Sequence, residues 1–270
     1  PLSMDGSKTI EDRKKLLKNC YKIIFNSNWS KKRFLEGLEN KFVNSHKLVV
    51  FFQSAKKNSI SILGNKKNWI TFVGKLNRAK GYDIFVQAIK KILNKYPNWR
   101  AKVIGDEKRE KIVLSHRNAD LLGFQNHEKV LKIFKQTSIA VVCSRWEEPF
   151  GRTSLEASAN GCAVIITNKG GLPETITNAR ILKKLDLKNL EKNIKFLIDN
   201  KKERLILQKK SIENFYLTHK FVTKKIDDYR DEKLKINNFF TKKNKTNLRI
   251  LHITNFNERL DGRLFFNTGR

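Results

Sequence analysis

The sequence has few cysteine, proline and methionine residues, and the scarcity of cysteine narrows the class of protein. Three cysteines occur in 270 residues, at Cys20, Cys143 and Cys162, with no C-x-x-C pair. A widely spaced, odd-numbered set argues against a disulfide framework and is typical of a reduced compartment. Cys143 and Cys162 lie in apolar runs, where a free cysteine packs as a small hydrophobic residue.

Metal-ligand spacing and long apolar runs are also lacking. The five histidines (His46, His116, His127, His219 and His252) form no close pair, so the sequence predicts no metal site. No apolar run approaches the length of a membrane span, and no signal-peptide pattern follows Pro1. We therefore expect a cytoplasmic protein. Because the first residue is proline rather than methionine, we interpret the chain as a piece of a longer protein.

Acidic residues are scarce relative to basic ones, with 26 Asp+Glu against 57 Lys+Arg and a net charge of +31. Such an excess predicts either a polyanionic partner, such as nucleic acid or an anionic membrane face, or a lysine-rich composition spread over solvated surfaces. The lysines are scattered, and clusters such as Lys242-Lys243-Asn244-Lys245 are short. We favour the second interpretation and expect no specific nucleic-acid partner. Peripheral contact with the inner face of an anionic membrane remains an expectation.

Short apolar runs alternate with amphipathic segments along most of the chain. Strands are predicted at 23–25, 48–52, 69–73, 101–104, 120–122, 139–143, 163–167, 180–182 and 248–254. Helices are predicted at 30–38 with Ser30 as N-cap, from 82 until Pro97 ends the helix, and at 106–117, 127–136, 151–160, 187–199, 202–216 and 221–235. The polar stretch 53–68 is predicted to be a linker or a domain boundary. Short strands that do not alternate in polarity, placed between amphipathic helices, predict an α/β fold with a doubly wound parallel sheet.

Two glutamates, Glu148 and Glu156, have seven residues between them, and a Pro-Phe-Gly turn follows the first. Glu156 falls in a predicted helix, and Gly170-Gly171-Leu172-Pro173-Glu174 comes after the next apolar strand. Carboxylates accept hydrogen bonds from paired hydroxyls, and glycine turns at helix starts bring bare backbone N–H groups against phosphate. Together these features predict a sugar-nucleotide site.

The ordered motifs resemble the retaining glycosyltransferases of the GT-B fold, family 4 (group 1) type, over about residues 1–235. The matching motifs are Phe72-Val73-Gly74-Lys75-Leu76 with Lys80-Gly81, Val103-Ile104-Gly105, Leu122-Gly123-Phe124, Ser144 to Gly151, Leu155-Glu156-Ala157, Gly161-Cys162-Ala163-Val164 and Gly170 to Glu174. That fold places two Rossmann-like domains across a cleft, and the second binds the nucleotide sugar. The resemblance implies no cofactor beyond the nucleoside diphosphate sugar, which is a substrate.

The resemblance also implies a division of the chain. Residues 1–55 would be the C-terminal remnant of the acceptor-side domain, most of which is lacking, with Asn26–Ser30 as its last strand-to-helix turn. Residues 56–236 would be the nucleotide-sugar-binding Rossmann-like domain with its crossover helix. Residues 237–270 would be a linker followed by either the start of a second module, including Asp261-Gly262-Arg263, or a short strand packed on the body.

Three residues are implied to act in catalysis. Lys80 matches the family's phosphate-binding lysine, whose charge would stabilise the departing pyrophosphate. Lys75 stands where the family usually has arginine and supplies charge without a planar fork, so Arg78 is a candidate to replace it. Glu148 would contact the donor sugar's hydroxyls, with Glu147 as its rival. The ordinary alternative for each lysine is a solvated surface charge.

The remaining residues are implied to bind the donor. Glu156 would accept hydrogen bonds from the ribose hydroxyls, the alternative being an exposed helix glutamate. The backbone of Gly151, Arg152 and Thr153 would meet phosphate at a helix start. The backbone would approach the donor at three further glycines, with plain turn glycines as the alternative. These are Gly74, Gly170 and Gly171.

We therefore expect a retaining glycosyltransferase, present here as its donor-binding half and inactive as this piece. It would transfer a hexose from a nucleotide sugar to a glycan or glycolipid acceptor in surface polysaccharide biosynthesis. The resemblance implies front-face attack, with the leaving phosphate helping to deprotonate the acceptor. No protein nucleophile is expected, and His116 and His127 are interpreted as surface or helix-cap residues. The alternative is a non-catalytic nucleotide-sugar or protein-binding module on the same scaffold.

Overall fold

The computed structural model describes residues 6–240 and 250–253 of the chain. The described helices and strands, in chain order, are α1 (Gly6–Asn19), β1 (Lys22–Phe25), α2 (Asn28–Leu35), β2 (Leu48–Val50), β3 (Lys67–Val73), α3 (Tyr82–Lys95), β4 (Arg100–Ile104), β5 (Ala119–Leu121), α4 (His127–Gln136), β6 (Thr137–Val142), α5 (Arg152–Ala159), β7 (Ala163–Thr167), β8 (Arg180–Leu182), α6 (Leu187–Asp199), α7 (Lys201–Glu213), α8 (His219–Phe240) and β9 (Ile250–Ile253). Short 3₁₀ helices lie at Asn40–Phe42, Ile60–Asn65 and Leu172–Thr175.

The larger sheet has six strands in the order β5-β4-β3-β6-β7-β8, and every neighbouring pair is parallel. The order runs outward in one direction from β3 and in the other from β6. The predicted doubly wound α/β fold is therefore confirmed. The reversal of strand order lies between β3 and β6, and open sheets of this kind place their ligand crevice at that point.

The strands of the larger sheet are apolar on both faces because helices cover both. Ile70 and Phe72 of β3 face one core cluster, which also contains residues of α3 and α6. Trp69 and Val73 of the same strand pack on the other cluster, with residues of α4 and α5. Successive strand residues point to opposite faces, so two covered faces require continuous rather than alternating apolar runs.

A smaller parallel sheet has the order β2-β1-β9. Ile23 pairs with Leu48 on one side and with Leu251 on the other. The predicted strand at 248–254 is thus seen at 250–253, paired with β1. The division into domains stays a prediction, and Asp261-Gly262-Arg263 lies outside the described residues.

The predicted helix at 106–117 is wrong, because no helix is assigned in this segment. Its apolar residues, Ile112, Val113 and Leu114, are consecutive and cannot share one helix face. Its acidic side chains instead bind the loop after β3: Glu107 accepts from Asn77, and Glu110 accepts from the Arg78 amide at 3.0 Å. These tertiary hydrogen bonds replace the helical ones.

Two further boundaries differ from expectation. The N-cap of α2 is Ser27, whose Oγ accepts from the Ser30 amide at 2.9 Å, so the helix begins before the predicted Ser30. The stretch 53–68, predicted to be a linker or a domain boundary, contains the 3₁₀ helix Ile60–Asn65, and its Ala55 pairs with Thr218. Helix α1 lacks a clear apolar stripe and was not predicted. It is anchored by Arg13, which donates to the Glu36 carbonyl at 2.9 Å.

The hydroxyl of Tyr82 is buried with no hydrogen-bond partner among the described residues, and burial raises the pKa of Tyr82 to about 12. Because a buried, unsatisfied hydroxyl is unfavourable, we expect Tyr82→Phe to raise the free energy of unfolding by about 1 kcal/mol. Tyr96→Phe is the matched comparison, since it removes a hydrogen bond to Asp199 Oδ1 of 2.7 Å, and it should lower stability slightly. Urea denaturation measures both. A clear loss of stability in Tyr82→Phe would show that the hydroxyl has a partner, such as a buried water.

Candidate functional site

A cavity of about 60 Å³ lies at the carboxyl ends of β3 and β6, where the strand order reverses. Its lining is formed by Phe72, Val73, Gly74, Lys80, Val142, Cys143, Ser144, Glu148, Gly151, Arg152, Thr153 and Leu172. Six of the ten predicted site residues are in this set, namely Gly74, Lys80, Glu148, Gly151, Arg152 and Thr153. They come from two segments, the loop between β3 and α3 and the stretch from Glu148 into the start of α5, which the parallel sheet brings to one edge.

Lys80 reaches the cavity because the loop 74–81 packs tightly over the end of β6. Gly81 precedes α3 with a φ of +73°, and a Cβ at this position would lie 2.0 Å from the Cys143 carbonyl oxygen. Only glycine permits this approach. Within the loop, Asn77 Oδ1 accepts a hydrogen bond of 3.0 Å from the Lys80 amide. The backbone on both sides of Lys80 is therefore fixed.

The ammonium group of Lys80 forms an ion pair with Glu148 Oε1. The two side chains are 30% and 14% exposed, so the pair is only partly solvated. Electrostatic interactions are stronger there than between freely exposed groups. Glu147 is exposed and does not line the cavity. The structure thus places Glu148 beside Lys80 in the cavity, whereas its neighbour Glu147 lies outside it.

Helix α5 begins at the cavity with an open N-terminus. Its N-cap, Gly151, has a φ of +110° and no side chain to bond the first amides. The first intrahelical bond across this end runs from the Leu155 amide to the Gly151 carbonyl at 3.2 Å. The preceding amides, including those of Arg152 and Thr153, therefore have no carbonyl partner within the helix. Such an end attracts anions through its N–H groups and the helix dipole.

Glu156 lies one turn further along α5 and is buried, with 7% of its side chain exposed. Its Oε1 accepts from Arg152 Nε at 2.7 Å and lies 2.9 Å from His127 Nε2. Glu156 is not itself among the lining residues, but Arg152 connects it to them. Two donors on one oxygen leave the other carboxylate oxygen to accept from a ligand hydroxyl.

His127 is a residue whose place at the site the sequence did not predict. It is exposed, as expected of a surface residue, and α4 has Asn126 rather than His127 as its N-cap. Its contact with Glu156 joins positions 29 residues apart, which no periodicity reveals. His116 bonds Asn94 Oδ1 at 3.0 Å and does not line the cavity.

Gly170 and Gly171 support Glu148 from behind and are not among the lining residues. Gly170 has a φ of +59°, and a Cβ there would lie 2.2 Å from the Glu148 carbonyl oxygen. The Gly171 amide donates to that oxygen at 2.6 Å. Both glycines therefore let the turn after β7 pack against the backbone that carries the Glu148 carboxylate.

Lys75 and Arg78 are exposed and are not among the lining residues. Among the side chains that the structure describes, the Lys75 ammonium has no hydrogen-bond or ion-pair partner. The Arg78 carbonyl accepts from Arg145 Nη1 at 2.6 Å, which ties its loop to the segment after β6. The structure does not bring Lys75 together with Lys80, Glu148 and Arg152, and its catalytic role stays a prediction.

The segment after β4 supports the loop 74–81, and the sequence did not predict this. Glu107 accepts from Asn77 Nδ2 at 2.9 Å, and the same Asn77 holds the Lys80 amide. Hydrogen bonds, first of all from the Arg109 guanidinium, lower the pKa of Glu107 to about 2. Glu107 is therefore anionic at neutral pH and fixes the orientation of Asn77.

The described residues provide no reactive thiol at the cavity, no metal-binding cluster and no helix that could cross a membrane. Burial raises the pKa of Cys143 to about 12, so this thiol stays protonated at neutral pH and is a poor nucleophile. Among the described residues, no group of three or more His, Cys, Asp or Glu side chains could hold a metal ion. No helix within these residues is both long enough and apolar enough to cross a bilayer.

The profile of the family described as "Glycosyl transferases group 1" matches residues 53–214. The chain therefore belongs to this family, and the GT-B, family 4-type resemblance is confirmed. Among curated proteins, spore coat protein SA of Bacillus subtilis is 28% identical over 142 residues, which are 47% of this chain and 38% of that protein. An uncharacterized glycosyltransferase of Methanocaldococcus jannaschii is 32% identical over 136 residues, which are 44% of this chain and 32% of that protein. The chain thus spans about a third of the length of the curated relatives it matches.

Solved structures share the fold. The crystal structure of Anabaena HepE in complex with UDP and glucose matches with a TM-score of 0.70 at 17% identity, covering 86% of this chain and 69% of that one. Sucrose-phosphate synthase from Thermosynechococcus elongatus matches with a TM-score of 0.66 at 16% identity, covering 87% of this chain and 63% of that one. At such identities the likeness establishes the GT-B fold.

Proposed function

We propose that this chain is the donor-binding half of a retaining glycosyltransferase that transfers a hexose from a nucleotide sugar to a glycan or glycolipid. The observation that carries the proposal is the convergence of Lys80, Glu148 and the open N-terminus of α5 on one cavity. A cation and bare amides suit a pyrophosphate, and a carboxylate beside them suits sugar hydroxyls. Membership of the glycosyl transferases group 1 family supports the same assignment.

The proposed chemistry centres on the charge that develops on the leaving nucleoside diphosphate. As the glycosidic bond breaks, negative charge grows on the pyrophosphate oxygens. The Lys80 ammonium and the amides of Arg152 and Thr153 would stabilise this charge more than they stabilise the bound donor. Binding would redirect Lys80 from Glu148 to phosphate and release the Glu148 carboxylate for the hexose hydroxyls.

Glu156 would hold the ribose through the carboxylate oxygen that Arg152 and His127 leave free. Since this side chain is buried, a ligand without ribose hydroxyls would leave its carboxylate oxygen unpaired. The site would therefore discriminate against such a ligand. Lys75 would lie at the rim, where its charge attracts the donor without a fixed contact.

Retention of configuration is proposed from the family resemblance, and two observations bear on whether a protein nucleophile takes part. Cys143 is protonated at neutral pH, and the Ser144 hydroxyl is directed to the carbonyls of Ala79 and Trp146 at 3.2 and 3.1 Å. Neither of these two side chains is thus poised as a nucleophile. The anomeric configuration of the product, read by NMR with the full-length protein, tests this point.

A role in surface polysaccharide biosynthesis is supported by a relative. The Rhizobium meliloti protein named lipopolysaccharide core biosynthesis mannosyltransferase is 28% identical over 121 residues, which are 41% of this chain and 34% of that protein. We propose a hexose donor and a glycan or glycolipid acceptor on the cytoplasmic side of a membrane. The acceptor would be bound mainly by an acceptor-side domain, of which residues 1–55 are the proposed remnant.

We expect at least one of UDP, GDP and ADP to stabilise the chain against thermal unfolding. A ligand at 100 times its Kd should add about 2.7 kcal/mol to the free energy of unfolding. The corresponding monophosphates should stabilise less, because they lack the second phosphate that Lys80 and the α5 amides would bind. Differential scanning fluorimetry followed by calorimetry measures both effects.

The net charge of +31 requires a control for non-specific anion binding. Inorganic pyrophosphate at equal ionic strength should stabilise the chain less than the nucleoside diphosphate, because it lacks the ribose that Glu156 would hold. Equal stabilisation by both, or none by any nucleotide, would contradict the proposal. Donor binding without transfer or donor hydrolysis by the full-length protein would instead identify a non-catalytic binding module.

A further inference from the structure

The carboxylate of Glu174 binds the start of α2, which belongs to the smaller sheet's unit. Its Oε2 accepts from the Asn28 amide at 2.8 Å and from Asn28 Nδ2 at 2.9 Å, and its Oε1 accepts from the Trp29 amide at 2.8 Å. Helix α2 already has its own N-cap, Ser27. Glu174 is thus a second, anionic cap, supplied from a segment about 145 residues further along the chain.

The start of α2 also contacts Pro149, the residue next to Glu148. The hydroxyls of Ser27 and Ser30 both reach the Pro149 carbonyl, that of Ser30 at 3.0 Å. Beside them, the ring of Phe52 stacks on the buried ring of Phe150, with centroids 5.9 Å apart and planes 21° apart. The segment 149–150 is therefore held by polar and apolar contacts from residues that precede the larger sheet.

Both contacted segments adjoin Glu148. Pro149 is the next residue, and Gly171, at the start of the turn that carries Glu174, donates to the Glu148 carbonyl at 2.6 Å. Gly170 packs so closely on the Glu148 backbone that a Cβ could not be accommodated. A shift of Glu174 relative to α2 would therefore be transmitted to Glu148 through rigid, tightly packed backbone.

We propose that Glu174 is a positioning residue of the donor site: by holding the amides of Asn28 and Trp29 it fixes the turn that sets the Glu148 carboxylate toward the donor sugar. This inference rests on the proposed function, since the sugar contact of Glu148 belongs to it. A carboxylate suits the task because it accepts on both oxygens and complements the positive end of the α2 dipole. A neutral amide at this position accepts on one side only.

Glu174→Gln tests the proposal through the contribution of the sugar to binding. Calorimetry would compare a nucleoside diphosphate with its sugar, UDP with UDP-glucose or GDP with GDP-mannose, according to which nucleotide the wild type binds. In Glu174→Gln, we expect the nucleotide sugar to bind about tenfold more weakly, while the nucleoside diphosphate changes less than about twofold. A general loss of structure would weaken both ligands together.

Hydrogen exchange tests the same connection without any ligand. The amides of Asn28 and Trp29 should exchange about tenfold faster in Glu174→Gln. The Gly171 amide should also exchange faster, because its bond to the Glu148 carbonyl would loosen. Faster exchange at Asn28 and Trp29 with unchanged protection at Gly171 would show that the contact does not reach Glu148, and would overturn the proposal.

Glu39→Gln is the matched control. Glu39 pairs with Lys14 at 3.4 Å and with Lys41 at 2.5 Å on the smaller sheet's unit, and it contacts none of the cavity-lining residues. This variant should leave both ligand affinities and the Gly171 exchange rate unchanged. Wild-type protein that binds no nucleotide would overturn the proposed function and the positioning role together. If the wild type binds nucleotide but its sugar adds nothing to the affinity, or if Glu174→Gln leaves the sugar's contribution unchanged, the positioning role alone would be overturned.

Discussion

Lys80→Met is expected to weaken nucleoside diphosphate binding by about 100-fold. Two effects add in the same direction. The substitution removes a charge-assisted hydrogen bond to phosphate, which contributes about 1.5–3 kcal/mol. It also leaves the Glu148 carboxylate, 14% exposed, without its cation and next to the anionic ligand. Isothermal titration calorimetry with the nucleotide that binds wild type measures the change.

Glu148→Gln separates these two effects. It frees Lys80 from its ion pair, so the affinity for the nucleoside diphosphate should be kept or increased, while the added affinity due to the sugar should be lost. Lys188→Met, on the exposed side of α6, is the control for loss of one positive charge and should change affinity less than about twofold. If Lys80→Met behaves like Lys188→Met, Lys80 does not bind phosphate and the proposed site is wrong.

Gly81→Ala is expected to lower the free energy of unfolding by more than about 3 kcal/mol, through two additive causes. The left-handed φ of +73° is unfavourable for alanine by about 1–2 kcal/mol. The new Cβ would also lie 2.0 Å from the Cys143 carbonyl oxygen, so α3 and its preceding loop would have to move away from β6. Lys80 lies on that loop, and nucleotide binding should be lost with the packing.

Substitutions at Gly123 and Gly64 separate the cost of the left-handed backbone from the cost of the steric overlap. Gly123 has a φ of +64° but no atom within 4 Å of an added Cβ, so Gly123→Ala should show the conformational strain alone, about 1–2 kcal/mol. Gly64 has neither a positive φ nor a close neighbour, and Gly64→Ala should change stability by less than about 0.5 kcal/mol. Equilibrium denaturation orders the three. If Gly81→Ala costs no more than Gly123→Ala, α3 does not pack against β6 as closely as described.

Most of the α/β architecture was predictable because burial on both sides leaves a local record. The runs 139–142 of β6 and 163–166 of β7 are apolar at every position, and α4 has a clear apolar stripe. The failure at 106–117 has a different origin. There Glu107 and Glu110 bind residues of the loop 74–81, and hydrogen bonds between distant segments leave no periodicity in the sequence.

The candidate site was partly predictable for a related reason. Lys80, Glu148 and Gly151 match motifs of the family that the sequence resembles, and the resemblance implied that they meet at the edge where the parallel strands end. Lys75 was expected beside them, but its side chain lies in solvent instead. The contact of His127 with Glu156 and the contact of Glu174 with the start of α2 were not predicted, because only the packing of distant segments brings these residues together.

The order of the motifs determined the family, the parallel sheet and the edge at which Lys80, Glu148 and Gly151 meet. The parallel sheet follows from local patterns of polarity, which each segment carries by itself, whereas the family and the place of the site follow from the resemblance of the ordered motifs. Only the tertiary structure decided which oxygen each carboxylate offers, that Gly170 and Gly171 pack against the backbone of Glu148, and that Glu174 bonds the start of α2. The physical reason is that these contacts depend on side-chain directions and on distances of a few ångströms between remote segments, and no local pattern records them.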